Sequence, residues 1–118
     1  MGVKQEVGRY GEALAERTLI EQGWRVLARN WRCPVGEIDI VAVDGRTLVI
    51  VEVKTRRSVE FGTALEAVTL GKAARLRKLA AAWLASQEGS FEQVRIDVMG
   101  VTLPKSGPAA VDHVRGIA

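Results

Sequence analysis

The stretch Glu37-Ile38-Asp39-Ile40-Val41-Ala42-Val43-Asp44-Gly45-Arg46-Thr47-Leu48-Val49-Ile50-Val51-Glu52-Val53-Lys54 decides the fold. It holds two β-branched runs on either side of Asp44-Gly45, a pair that suits a type I′ turn. Both faces of both runs are apolar, which predicts a hairpin at the centre of a sheet covered on each side. With Asp44-Gly45 as a two-residue turn, Val43 pairs with Arg46, Asp39 lies opposite Ile50, and Glu37 lies opposite Glu52. Alternation then puts Glu37, Asp39, Glu52 and Lys54 on one face, at one end of an otherwise apolar sheet. Carboxylates opposite one another destabilise a sheet unless something neutralises them. A divalent cation assisted by Lys54 would do so. The other reading is an ion pair of Lys54 with Glu52 or Glu37 where the strands emerge into water.

The flanking elements surround this hairpin. Residues 6–22 carry no proline and read as a helix stopped by Gly23. At helical spacing, Gly8, Glu12, Ala15 and Leu19 form a narrow stripe, with Gly11 at its edge. Small and apolar residues mark a face in close contact with the sheet, and a carboxylate there, Glu12, needs a partner or a metal. Residues 24–30 alternate as a short strand and 31–35, with Cys33-Pro34, read as a loop. After the hairpin come a loop at 56–62 and the longest helix at 63–87, closed by Gly89. Its stripe of Leu65, Val68, Leu76, Leu79 and Trp83 has Lys72 in the middle, where it can snorkel to solvent, reach the acidic cluster or reach a phosphate. Residues 94–99 form a last strand. From Pro104 on, small residues suggest a poorly packed tail. The order predicts an α/β sandwich with a mixed central sheet flanked by helices, one domain over 1–103 and a loosely ordered tail over 104–118.

Composition removes several chemistries. The 118 residues fit one domain and bury enough surface to fold without staples. The single cysteine, Cys33, allows no intramolecular disulfide and no CxxC zinc site, and the single histidine, His113, allows no His-rich metal site. There is no phosphate-binding P-loop and no dinucleotide fingerprint. No apolar run approaches the ~20 residues that span a bilayer. The start Met1-Gly2-Val3-Lys4-Gln5-Glu6 lacks a signal peptide's apolar stretch, so a cytoplasmic protein is expected. Net charge is only +3, but Val53 to Ala80 carries seven basic residues against Glu60 and Glu66. That local surplus favours a polyanion as partner.

Hard carboxylate oxygens beside a lysine suit Mg²⁺ or Mn²⁺ and phosphodiester hydrolysis, which needs no histidine. The set Asp39 with Glu52-Val53-Lys54 resembles the PD-(D/E)xK nuclease signature. Gly8-x-x-Gly11-Glu12, Gly36-Glu37-Ile38-Asp39 and Val51-Glu52-Val53-Lys54-Thr55-Arg56 together resemble the YraN family of small bacterial proteins. Phe61-Gly62, Lys72 and Arg95-Ile96-Asp97-Val98 are also similar to that family. Its members are described as endonucleases with a restriction-endonuclease-like fold, similar to archaeal Holliday junction resolvases. The resemblance implies a three-layer sandwich in which Glu12, Asp39 and Glu52, with the Val53 carbonyl, hold the metal and Lys54 is the catalytic lysine, with Glu37 beside them. One departure is Ile38, which stands where the superfamily signature has proline.

The leading expectation is a Mg²⁺-dependent endonuclease acting on DNA, including branched DNA, with Arg56, Arg57, Lys72, Arg75 and Lys78 on phosphates. By analogy with junction resolvases it would act as a homodimer. The alternative is a non-catalytic nucleic-acid-binding or accessory module that retains the nuclease fold.

Overall fold

The computed structural model describes residues 3–57 and 70–117. Seven elements follow in order among the described residues: α1 (Val3–Glu21), β1 (Arg25–Cys33), β2 (Gly36–Asp44), β3 (Thr47–Arg56), α2 (Leu70–Ala85), β4 (Gln93–Thr102) and β5 (Ala110–Val114). The strands form one mixed sheet in the order β1-β2-β3-β4-β5. Only β3 and β4 run parallel, joined through α2; the other neighbours are antiparallel. The β2–β3 hairpin therefore sits in the interior of the sheet, as its two apolar faces require. One face packs Ile40, Ala42, Val49, Val51 and Val53 against Ala15 and Leu19 of α1. The other packs Ile38, Val41, Leu48 and Ile50 against Leu76, Leu79, Ala80 and Trp83 of α2. The result is a three-layer α/β sandwich, consistent with a restriction-endonuclease-like fold.

The hairpin turn differs from the expected one. Asp44 pairs with Thr47 and Val43 with Leu48, so the two-residue turn is Gly45-Arg46 rather than Asp44-Gly45. Gly45 alone of the two has a positive φ, 62°. That is the type II′ pattern, with glycine first, and not type I′, which needs positive φ at both positions. Each residue's partner moves by two positions, so a residue keeps its face; a shift of one would have turned the apolar rows outward. Asp39 now comes level with Glu52, not Ile50, and Glu37 with Lys54, not Glu52.

Three other expectations change. Residues 31–33 continue β1 instead of forming a loop: Trp31 pairs with Ile38 and Cys33 with Gly36, leaving Pro34-Val35 as a tight turn. Trp31 and Cys33 have apolar partners on the α2 face, and this burial carries the strand through. In α1 the buried row is Gly11, Ala15 and Leu19. Gly8 is not part of the close contact, since a Cβ there would meet nothing within 4 Å. A Cβ at Gly11, by contrast, would overlap the Thr55 hydroxyl of β3. Glycine at this position lets α1 lie directly on the sheet. The helix ends as expected at Gly23, with Trp24 N bonded to Leu19 O at 3.0 Å and Gly23 N to Ile20 O at 2.9 Å, a Schellman pair. For the long helix, the described part is α2; residues 63–69, with Leu65 and Val68, lie outside the described residues, as do Phe61-Gly62. Among the described residues no helix is long and apolar enough to cross a membrane.

The segment expected to pack loosely supplies a strand instead. Residues 110–114 form β5, paired from Val98–Val114 to Thr102–Ala110. What fixes it is Asp97, a fully buried carboxylate on β4. Arg95 Nε donates to Asp97 Oδ1 at 2.8 Å and Arg95 Nη2 to Oδ2 at 3.1 Å; Gly116 N donates to Oδ1 at 3.0 Å. His113 Nε2 lies 2.8 Å from Oδ2 and donates to it, because an ionised carboxylate can only accept. Trp24 stacks edge-on with His113 and takes the guanidinium groups of Arg95 and Arg115 on its ring. Burial alone would raise Asp97, but the bonds from His113, Arg95 and Gly116 outweigh it and hold the carboxyl below its ordinary value.

A carboxyl lowered in the folded state adds stability above its unfolded pKa, and that stability is lost as pH falls through the folded value. Asp97→Asn should therefore destabilise the protein by about 3–5 kcal/mol at pH 7, the usual cost of breaking a buried pair. The gap should narrow as pH drops below about 4. Urea denaturation across pH measures it; a variant as stable as wild type at pH 7 would mean that Asp97 does not hold the C-terminal strand.

Candidate active site

The site lies where β2 and β3 part. Their pairing runs from Asp44–Thr47 to Ile40–Val51 and stops. Beyond that point β3 stays paired only with β4, through Glu52–Val98 to Arg56–Thr102. The Asp39 side chain fills the opening: its Oδ2 accepts the Val53 backbone N–H at 2.8 Å, in place of a backbone carbonyl of β2. This brings the Asp39 carboxyl near enough to Glu52 for each to shift the other's titration.

Strand alternation breaks at the same place. Ile38 and Val41 both face α2, three residues apart, whereas Ile40 faces α1. Opposite them, Ala28 and Trp31 of β1 also both face α2. Both strands slip phase by one residue together. Glu52 and Lys54 belong to the even-numbered row of β3 that faces α2, and Lys72 Nζ of α2 lies 3.0 Å from Glu52 Oε2, with Lys54 Nζ at 4.0 Å. Glu37 lies on the other side. Asn30 Nδ2 donates to Glu37 Oε1 at 3.0 Å and to Glu12 Oε1 of α1 at 2.8 Å, and Arg32 Nε donates to Glu37 Oε2 at 3.1 Å. The expectation that Glu37, Asp39, Glu52 and Lys54 share one face is therefore corrected. Glu52 and Lys54 stand with α2, Glu37 stands with α1, and Asp39 occupies the break between them.

Charge is distributed unevenly over these groups. Burial pushes the Asp39 carboxyl up to about 8; Glu52 contact and the nearby charge of Glu12 add to this, against the Val53 N–H. Burial would raise Glu52 too, but the hydrogen bonds from Asp39 and Lys72 and the charges of Lys72 and Lys54 hold it below the ordinary carboxylate range. The two carboxyls titrate as a pair, with Asp39 shifted up and Glu52 shifted down. Burial and the neighbouring Lys72 lower Lys54, against the pull of Glu52 and Asp39. Burial also works against Lys72, but its bonds to Lys54 and Glu52 raise it overall. Of the two lysines, Lys54 gives up its proton more readily.

Of the residues expected on phosphates, Lys72 pairs with Glu52 at 3.0 Å. Arg75, one turn further along α2, and Lys78 are exposed, as is Arg57; Arg56 is half-buried at the end of β3. Among the described residues no three His, Cys, Asp or Glu side chains form a group able to hold a metal ion. Asn30, which bridges Glu12 and Glu37, is the residue of this cluster that the sequence does not single out; its signal is an asparagine inside an otherwise strand-like run.

A model of the family described as "Uncharacterised protein family UPF0102" matches residues 11–101, the span that contains all of these groups. The chain belongs to this family. It is the family to which the YraN resemblance points. The chain is similar to UPF0102 proteins of Kineococcus radiotolerans, 59% identical over 116 residues, with 98% of this chain and 95% of the relative covered. A UPF0102 protein of Beutenbergia cavernae is 54% identical over 117 residues, covering 99% of each. One of Streptomyces coelicolor is 52% identical over 120 residues, covering 100% of this chain and 92% of the relative. These descriptions name no reaction, so the chemistry of this UPF0102 member has to come from its site.

A carboxyl raised in the folded protein favours folding fully below its unfolded pKa, and that favour is lost as pH rises through the folded value. For Asp39 the window runs from 3.8 to about 8. Asp39→Asn keeps a neutral donor and acceptor at every pH. In EDTA, its melting temperature relative to wild type should rise steadily between pH 5 and pH 8. A difference that stays constant over that range would mean that Asp39 titrates normally.

Proposed function

We propose that this UPF0102 protein is a Mg²⁺-dependent endonuclease, with Mn²⁺ able to substitute, that hydrolyses phosphodiester bonds in DNA. The observation that carries the reading is the Asp39 carboxyl held on the Val53 N–H at the opening of β2 and β3, with Glu52 and Lys54 beside it. The donor set fits the cation. Two hard carboxylates are what Mg²⁺ ordinarily takes from protein, the rest of its shell being water and substrate phosphate. The raised Asp39 carboxyl, pushed up first by burial and then by its neighbours Glu52 and Glu12, marks a place where a cation would be favoured. Asp39, Glu52 and the Val53 carbonyl would hold the ion, with Glu12 close by. Bound there, Mg²⁺ would acidify a water and offset charge on the phosphoryl group.

The chain's own residues supply the rest. Lys54, with its weakened hold on a proton, is suited to orient the attacking water or take a proton from it. Lys72 keeps Glu52 ionised. Arg56, Arg57, Arg75 and Lys78 offer charge to phosphates, giving affinity without base readout. Such contacts suit a substrate chosen by shape, and the family resemblance points to branched or junction DNA and a homodimer. The 3.0 Å ion pair of Lys72 on Glu52 favours a second reading, a nucleic-acid-binding module in which lysine permanently neutralises the carboxylates.

Incubation with labelled linear, flap and four-way DNA in Mg²⁺, Mn²⁺ or EDTA separates the two. Cleavage that needs the cation is expected; DNA binding without cleavage under every condition would favour the binding module. Lys54→Ala should retain DNA and Mn²⁺ binding and lose about 10²-fold or more in rate, the scale for a positioned proton-transfer group. Its stability should change little, since Lys72 is the nearer counter-charge of Glu52. Wild-type cleavage by Lys54→Ala would remove Lys54 from the reaction.

A further inference from the structure

Asn30 is the only non-glycine among the described residues with a positive φ, 50°. It lies inside β1, between Arg29, which pairs with Ile40, and Trp31, which pairs with Ile38, and so stands opposite Asp39. Left-handed backbone is disfavoured for every residue with a Cβ, though least for asparagine and aspartate, and it persists where the surroundings hold it. Here it is held by both hydrogens of one amide. Asn30 Nδ2 reaches Glu12 Oε1 on α1 at 2.8 Å and Glu37 Oε1 on β2 at 3.0 Å. The two carboxylates belong to different layers and would repel each other if left facing. The amide bridges them, and Arg32 pins the far oxygen of Glu37 at 3.1 Å. Glu37 thus becomes an anchor on the sheet, and Asn30 carries that anchorage across to Glu12.

Glu12 needs such an anchor. Its helix meets the sheet at Gly11 and Thr55, which fixes the backbone of α1 but leaves a glutamate's flexible side chain unaimed. We propose that Asn30 is a positioning residue, whose amide holds the Glu12 carboxylate beside Glu37 on the α1 side of the cation site proposed at Asp39 and Glu52, from where its charge acts on the ion. The proposal rests on the metal-site reading above. It also accounts for the backbone conformation: with φ of ordinary strand sign, the side chain would lie in the regular alternation of β1 and would not span α1 and β2. The phase slip shared by β1 and β2 at this point is the same feature seen from the backbone.

Two substitutions separate the amide from the backbone. Asn30→Gly tolerates the left-handed conformation and removes the amide. Asn30→Asp also tolerates it and replaces the donor with a third carboxylate. Mn²⁺ affinity is measured by calorimetry on wild type, both variants, Glu12→Gln, and Glu12→Gln combined with Asn30→Gly, with thermal melts in EDTA as a check on folding. Outer-shell partners of metal ligands typically contribute 10–100-fold in affinity. Asn30→Gly is expected to lower Mn²⁺ affinity by about tenfold or more. In the Glu12→Gln background the same change should have little further effect, because its action runs through Glu12. If wild type binds Mn²⁺ and folded Asn30→Gly and Asn30→Asp bind it equally well, Asn30 does not position the site, and the metal-site reading stands. A fully additive double variant would also overturn the proposal, since Asn30 would then act independently of Glu12. If wild type binds no Mn²⁺, the metal-site reading fails and the role of Asn30 with it.

Discussion

The hydrogen bond from the Val53 N–H to the Asp39 carboxyl is the contact on which the site depends. Two strands that were paired without a break would direct that N–H at a backbone carbonyl and leave no opening between them. Here the pairing of β2 and β3 ends at Ile40–Val51, and a side chain takes over from the backbone at 2.8 Å. A buried N–H must find some acceptor. Once that acceptor is a carboxylate, an acid has been carried into the interior of the sheet beside Glu52. Sheet pairing and site formation are thus a single structural event.

The layers on either side contribute opposite charge. From α2 comes Lys72, which rests on Glu52 and keeps it ionised. From α1 comes Glu12, whose charge helps to raise Asp39. The closeness of α1 follows from Gly11, where any side chain would run into Thr55. Away from the site, the buried Asp97 anchors the opposite edge of the sheet through Arg95, His113 and Gly116. That anchor braces β4, the strand still paired with β3 past Val51 among the described residues.

Much of this was legible in the sequence. The apolar rows of residues 38–53 indicated a central hairpin covered on both faces, and Glu12, Asp39, Glu52 and Lys54 stood out as charges in apolar settings. The turn was misplaced by one residue because Asp44-Gly45 is a better local turn than Gly45-Arg46, while the pairing is decided by the whole ladder. The error was harmless to the faces because each pairing moved by two. Strict alternation could not foresee the slip at Asn30 and Asp39, since it depends on two strands changing phase together. It therefore placed Glu37 on the wrong side. The C-terminal strand was read as a tail because its small residues carry little apolar signal; its anchor is an ion pair and hydrogen bonds on Asp97, for which hydrophobic pattern gives no sign. Lys72 was noticed as an oddity in its stripe, and only the distance to Glu52 shows which of its options it takes.

The most direct test of the Asp39–Glu52 pair as a cation site is a carboxyl-carbon NMR titration, with and without saturating Mg²⁺. Without the ion, Asp39 should titrate near 8, the value its burial and neighbours impose, while Glu52 titrates below its ordinary range. With Mg²⁺ the Asp39 midpoint should fall well below neutrality, because the ion replaces the proton. An Asp39 midpoint near the ordinary 3.8 that Mg²⁺ leaves unmoved would contradict both the raised carboxyl and the site proposed for the metal.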